Sequence, residues 1–241
     1  MDALARRGGF RRRVQPATYV AEKEGAMRQF IITAAATLMV SAAYADDDIE
    51  RVSMTLDLAS FERIEVSGVY DVTVSVGGDF SVAISGPADE VDLVEARVKN
   101  GVLDLSQKER KKRWGRNNRH GVDAVISLPR LDAFEVSGVV DGRIKDIDAD
   151  HFDLAISGVG DITLAGRCDS LDAKVSGVGD LDAEDFKCRV VDVTVSGVGD
   201  ATVYASDEVE ASVSGMGSID VYGGPERVTK SDSLFAEVTI H

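Results

Sequence analysis

The chain has 241 residues, with 27 Lys+Arg against 42 Asp+Glu and a formal net charge of −15, a length that suits one large domain or two small ones. At 44% hydrophobic it can bury a core, which excludes wholesale disorder, and its acidity makes it a poor general binder of nucleic acid. Three histidines and two cysteines are too few for a rich metal site, and 6% aromatics beside abundant Val, Ala and Gly favour thin β layers over a bulky helical core.

From the N-terminus, residues 27–45 read MRQFIITAAATLMVSAAYA. Met27 and Arg28 give a short positive start, Phe30 to Val40 an apolar run, and Ala43-Tyr44-Ala45 an A-x-A cleavage site ahead of Asp46-Asp47-Asp48. This is the pattern of a secretory signal peptide; the run is shorter than the ~20 apolar residues of a spanning helix, so no transmembrane segment is expected in the mature chain. Residues 1–26 precede it and fit neither a signal nor a domain. They are expected to be a mis-assigned or disordered extension, with translation starting at Met27. Removing residues 1–45 takes away 7 Lys/Arg and 3 Asp/Glu, leaving 20 basic and 39 acidic residues and a formal charge of −19. The protein is therefore expected to be exported, to the periplasm or the outer cell surface of a Gram-negative-type bacterium, as a single domain over 46–241.

Residues 52–106 form an irregular β lead-in, with strands expected near 61–66, 70–76, 80–85 and 102–106, and a helical turn starting at Gly86-Pro87-Ala88-Asp89-Glu90 with proline at its first position. A basic stretch follows, Gln107 to Gly121, which carries seven of the 20 mature basic residues around the single tryptophan. It reads as a hairpin loop ahead of a strand at Val122–Leu128. Lys111, Lys112, Arg113, Trp114, Arg116 and Arg119 make it the candidate ligand-binding loop, since cations around an aromatic ring suit anionic glycans or phosphates.

Beyond it the chain repeats. Ser-Gly-Val-x-Asp occurs at Ser67-Gly68-Val69-Tyr70-Asp71, Ser137-Gly138-Val139-Val140-Asp141, Ser157-Gly158-Val159-Gly160-Asp161, Ser176-Gly177-Val178-Gly179-Asp180 and Ser196-Gly197-Val198-Gly199-Asp200, and closes with Ser214-Gly215-Met216-Gly217-Ser218. From Ser137 the serines are spaced 20, 19, 20 and 18 residues apart, the mark of a solenoid. Apolar residues alternate with polar ones before each motif (Leu171, Ala173, Val175; Val191, Val193, Val195; Val209, Ala211, Val213) and after it (Ile162, Leu164; Leu181, Ala183; Ala201, Val203; Ile219, Val221), so each repeat reads as two short strands around a glycine corner, with the motif valine as a third inward position. No hairpin dipeptide or long helix links the repeats. The expected fold is all-β, a right-handed parallel β-helix of about 19-residue coils. Cys168 and Cys188 each stand eight residues before a motif serine. They fall in one column of adjacent coils, ~4.8 Å apart, within disulfide reach, and export permits the bond. A Cys168–Cys188 disulfide is expected.

The opening Phe61-Glu62-Arg63-Ile64-Glu65-Val66-Ser67-Gly68-Val69-Tyr70-Asp71-Val72, the Ile126-Ser127-Leu128-Pro129-Arg130-Leu131 that leads into the coils, the repeated Val-Ser-Gly-x-Gly-Asp and the late Gly223-Gly224-Pro225-Glu226-Arg227-Val228 together resemble the GIN-domain family, the auto-transporter adhesin head domain, over roughly 59–231. The resemblance implies an exported bacterial β-helix with adhesion as its working role and no catalytic residues. Nothing after residue 231 supplies the strands of a translocator barrel.

Chemical motifs are sparse. The aspartate column (Asp71, Asp141, Asp161, Asp180, Asp200) invites a calcium reading, but calcium wants 6–8 oxygens and each coil supplies one such carboxylate; the expected role is accepting backbone N–H bonds at the corner. The serine column (Ser67, Ser137, Ser157, Ser176, Ser196, Ser214) lacks an adjacent base and is expected to form hydroxyl ladders, with Gly68, Gly138, Gly158, Gly177, Gly197 and Gly215 as structural partners. Gly158-Val159-Gly160 fails as a dinucleotide loop, since Thr163 stands where the third glycine belongs. Asp153, Asp172, Asp192 and Glu210 face outward; paired carboxylates can cleave polysaccharides, but nothing distinguishes these from surface charge. The expected function is a non-enzymatic envelope-binding or adhesion module, without cofactor or metal, acting on envelope glycans or a surface or periplasmic protein and not on nucleic acid. The alternatives are a polysaccharide-active enzyme and an assembly protein that pairs through its coil ends.

Overall fold

In a computed structural model of the protein, residues 51–108, 121–231, 233–234 and 236–241 are described. They form a parallel β-solenoid of about five turns, with a mixed lead-in at one end.

The lead-in comprises β1 (Arg51–Leu56), β2 (Arg63–Val66), β3 (Val69–Val76), β4 (Ser81–Pro87), the short helix α1 (Ala88–Val91), β5 (Val94–Lys99), β6 (Val102–Gln107), β7 (Val122–Leu128) and β8 (Ala133–Val136). The expected strands are present, and β1 and β5 are additional. Pro87 is the N-cap residue of α1, at φ −56°, one place before the first helical position. β1 pairs antiparallel with β4, and β4 antiparallel with β7; β7 is parallel to β3, which stacks on the first coil. On another face β5 lies antiparallel to β6, and β6, β2 and β8 run parallel into the same coil. The lead-in thus continues two faces of the solenoid and ends each in an antiparallel edge strand.

The coils are β9 (Val139–Ile156), β10 (Ile162–Val175), β11 (Leu181–Val195) and β12 (Ala201–Val213), followed by β13 (Gly217–Tyr222), β14 (Arg227–Ser231) and β15 (Ala236–Ile240). Successive coils pair in parallel, and β13 and β14 both pair with β12, while β15 pairs with β13. The sequence pattern suggested two short strands per repeat. The ladder instead bends through further corners within strands of 13 to 18 residues, and a register shift marks the bend in each coil pair from β9 to β12.

Strict registry turns the alternation into columns. One inward column runs Val72, Gly142, Ile162, Leu181, Ala201, Ile219, Val238. At Gly142 an added Cβ would lie 2.7 Å from the Ile162 Cδ1 atom, so a side chain there would require Ile162 to shift. Every large member of this column is buried, and burial of such side chains from neighbouring coils contributes about 1.5–3 kcal/mol each. Phe152 and Phe186 meet edge to face at 5.5 Å. Cys168 and Cys188 are exact register partners and form the expected disulfide, with Cα atoms 4.5 Å apart.

At the last rung the inward pattern changes. Val228 and Lys230 of β14 stand in register with the buried Val209 and Ala211. The Lys230 Nζ donates to the Val238 carbonyl of β15 at 3.1 Å, so a lysine stem reaches across the end of the core.

A candidate binding face at the Ser-Gly-Val corner

The repeated motif forms one corner of every coil. Its two glycines are required by close backbone stacking. A Cβ on Gly177 would lie 1.9 Å from the Gly158 carbonyl oxygen, and one on Gly179, at φ +147°, would lie 2.0 Å from that of Gly160. No side chain fits at either distance, and the second position also needs the conformation that glycine adopts freely.

The polar residues of the motif serve the stack. Ser157 Oγ donates to the Val136 carbonyl at 3.0 Å and Ser176 Oγ to the Ile156 carbonyl at 3.3 Å. These hydroxyls bind the backbone of the preceding coil, in place of the hydroxyl-to-hydroxyl ladder expected from the column. The aspartates accept backbone N–H groups as expected, each from the next coil: Asp161 N–H to Asp141 Oδ1 (3.3 Å), Asp180 to Asp161 (3.0 Å), Asp200 to Asp180 (2.8 Å) and Ser218 to Asp200 (2.7 Å). One carboxylate oxygen per coil is committed to the fold. Among the described residues no group of three or more His, Cys, Asp or Glu is arranged to hold a metal ion. At the start of the column, burial holds the Asp71 carboxyl above the usual range, with further upward pushes from Asp123 and Asp141 and a smaller opposite effect from Arg143.

The motif valine overturns its expected inward placement. Val139, Val159, Val178 and Val198 are 42–51% exposed and Met216 57%. They bridge one another in parallel from coil to coil, so they form an outward apolar ridge. The alternation itself carries through the corner: counting by two from the buried Val175 to the buried Leu181 leaves Ser176, Val178 and Asp180 outside, and Val139, which is followed by Val140 and not by glycine, faces out in the same way.

Between this ridge and the serines lies a shallow trough of about 710 Å³ with glycine backbone as its floor and no charged residue in its lining. A second depression of about 690 Å³ continues it past Met216 to Leu234. Two acidic columns flank the trough. The motif aspartates run beside the valines. On the serine side, Asp153, Asp172, Asp192 and Glu210 stand in parallel register. Lys174 pairs with Asp172 at 2.9 Å. Among the described residues no Lys or Arg forms an ion pair with Asp161, Asp180, Asp200, Asp192 or Glu210.

A further cluster escaped the reading of the motifs. His151 Nδ1 lies 2.8 Å from Ser170 Oγ, and its Nε2 lies 3.0 Å from Asp153 Oδ1. His151 and Ser170 are register partners in adjacent coils, so applying the coil spacing to every polar residue, not only to the motif, would have found them. His151 and Asp153 are about half exposed, and Ser170 stands in the parallel ladder between His151 and Val190. The basic candidate residues Lys111, Lys112, Arg113, Trp114, Arg116 and Arg119 lie outside the described residues.

These features define a class, a disulfide-stapled parallel β-solenoid with an uncharged corner trough between carboxylate columns. The family model described as "Putative auto-transporter adhesin, head GIN domain" matches residues 60–225, and the chain belongs to this family. A solved "putative adhesin" from Bacteroides fragilis is similar in fold, with a TM-score of 0.68 at 24% identity, covering 79% of this chain and 97% of that one. A second "putative adhesin", from Parabacteroides distasonis, aligns over 80% of this chain and 98% of its own at 20% identity, with a TM-score of 0.48. No curated protein matches the chain.

Proposed function

We propose that the protein is an exported, non-enzymatic module that binds a cell-envelope or cell-surface partner, in the manner of an adhesin head. Membership of the adhesin-head family and the disulfide support export and adhesion, since disulfides persist in oxidising compartments. Among the described residues no helix is long and apolar enough to cross a membrane. The observation that carries the reading is the valine ridge. Five large apolar side chains exposed in one unbroken line are unusual on an acidic surface, and contiguous exposed apolar surface marks an interaction site.

The test is co-sedimentation of the purified protein with bacterial envelope fractions and with bacterial and host polysaccharides, together with an assay for new reducing ends. The expected result is binding without cleavage, reduced at least tenfold by the paired substitution Val159→Thr and Val178→Thr. Release of reducing ends, abolished by a single Asp→Asn change among Asp153, Asp172 and Asp192, would replace this reading with a polysaccharide-cleaving one.

A further inference from the structure

We infer that the corner trough is a docking site for a short cationic amphipathic α-helix lying along the solenoid axis. The inference rests on the binding-module reading above and names the chemistry of the partner.

Charge complementarity is the first argument. The floor and both walls of the trough are uncharged, so an apolar stripe can settle there without stranding a charge. Outside it stand the two carboxylate columns. Along an extended chain, residues two apart are about 7 Å apart and residues four apart about 14 Å, so Asp161 and Asp180 flank the valines closely, and Asp172 and Asp192 lie farther out beyond the serines. A partner that fits both features is apolar along its centre and basic along its edges. Long lysine and arginine side chains reach outward from such a stripe while their stems stay on apolar surface. A neutral glycan could use the carboxylates only as hydrogen-bond acceptors for its hydroxyls, whereas a cationic partner also gains the charge attraction. No aromatic ring lines the trough, which removes the usual platform for a sugar face.

Pitch is the second argument. Ridge residues repeat every ~4.8 Å, the spacing of neighbouring strands. A helix presents a new turn every ~5.4 Å, whereas an extended strand presents same-face side chains every ~6.6–6.8 Å. Over the four steps from Val139 to Met216, about 19 Å, a helix drifts by roughly half a turn and a strand by more than one full rung. At ~1.5 Å per residue the same length takes about 13 helical residues. The glycine floor at Gly158, Gly177 and Gly197 lets the helix side chains approach the backbone, with the valines as one wall. A contact of about 13 helical residues held partly by exposed charges is expected to weaken steeply with salt.

The experiment uses the purified full chain and a fluorescein-labelled 14-residue helical peptide with leucines along one stripe and lysines flanking it, read by fluorescence anisotropy. A scrambled peptide of the same composition, unable to form the stripe, is the control. Expected are saturable binding at 50 mM salt, at least tenfold weaker binding of the scrambled peptide, and at least tenfold loss at 300 mM salt. The pair Asp161→Asn and Asp180→Asn keeps an Oδ1 acceptor for the neighbouring N–H and should weaken binding at least fivefold with the fold intact by circular dichroism. Val159→Thr with Val178→Thr should weaken it at least tenfold. Equal binding of the scrambled peptide, or no effect of either pair, would overturn the proposal as unspecific charge attraction. Envelope binding without peptide binding would overturn the helix and leave the binding-module reading standing. Peptide binding without envelope binding would support the helix and sink that reading.

Discussion

The lead-in and the coils solve one problem in two ways. Both bury an apolar face that a single strand pair cannot cover, and both share one continuous core. The lead-in does it with individual partners: β1 on β4, β5 on β6, and α1 laid against the end. Each pairing there occurs once. The coils repeat one pairing, so each position is constrained by identical positions above and below. Repetition brings backbones together as closely as glycine allows, and the coils therefore tolerate change at the corner less well than the lead-in tolerates it in its turns.

The largest expected effect tests that contrast directly. Gly179→Val places a Cβ within 2.0 Å of the Gly160 carbonyl oxygen at φ +147° and should cost more than about 4 kcal/mol or abolish folding. Gly77→Ala, at φ +94° with open space around it, should cost only about 1–2 kcal/mol. Urea denaturation followed by circular dichroism measures both, and equal costs would break the comparison. Next, removal of the Cys168–Cys188 bond by paired alanine substitution should cost about 3 kcal/mol, the value for a loop of similar length, read as a lower urea midpoint. Asp180→Ala removes the acceptor for the Asp200 N–H and should cost about 1 kcal/mol, while Asp180→Asn should recover most of it. The smallest effect concerns Asp71, where lead-in meets coils. Its folded-state pKa is raised, so the folded protein holds this proton more tightly than the unfolded chain. Stability then falls as pH rises through the window between the unfolded and folded values. Asp71→Asn should raise the melting temperature slightly at pH 7, and the gain should vanish at pH 3.

Much of this was legible in the sequence because stacking copies a pattern. The coil period, the inward sets such as Val191, Val193 and Val195, and the Cys168–Cys188 pairing all follow from alternation plus a constant spacing. The outward turn of Val159 and Val178 was legible too, since counting by two from Ile156 to Ile162, or from Val175 to Leu181, leaves both valines outside; the expectation of a third inward position followed their apolar character and not their place in the alternation. The ridge that carries the functional reading therefore lay among residues expected inside. β1 and β5 were missed for another reason: their partners β4 and β6 are specified by tertiary pairing, and no repeat announces them. His151 and Ser170 meet only because adjacent coils place them side by side.

Lys230 bears on how long such an object can be. Identical rungs add to one another without limit, and a stack whose last strand looks like the one before it is a template for another molecule, the hazard of any open strand edge. An ammonium in the inward column, held on the Val238 carbonyl, makes the next rung unfavourable, because a newly added strand would enclose an unpaired charge. A lysine at this place therefore disfavours a further rung more than an apolar residue would. Lys230→Val is expected to increase concentration-dependent association, which analytical ultracentrifugation would read.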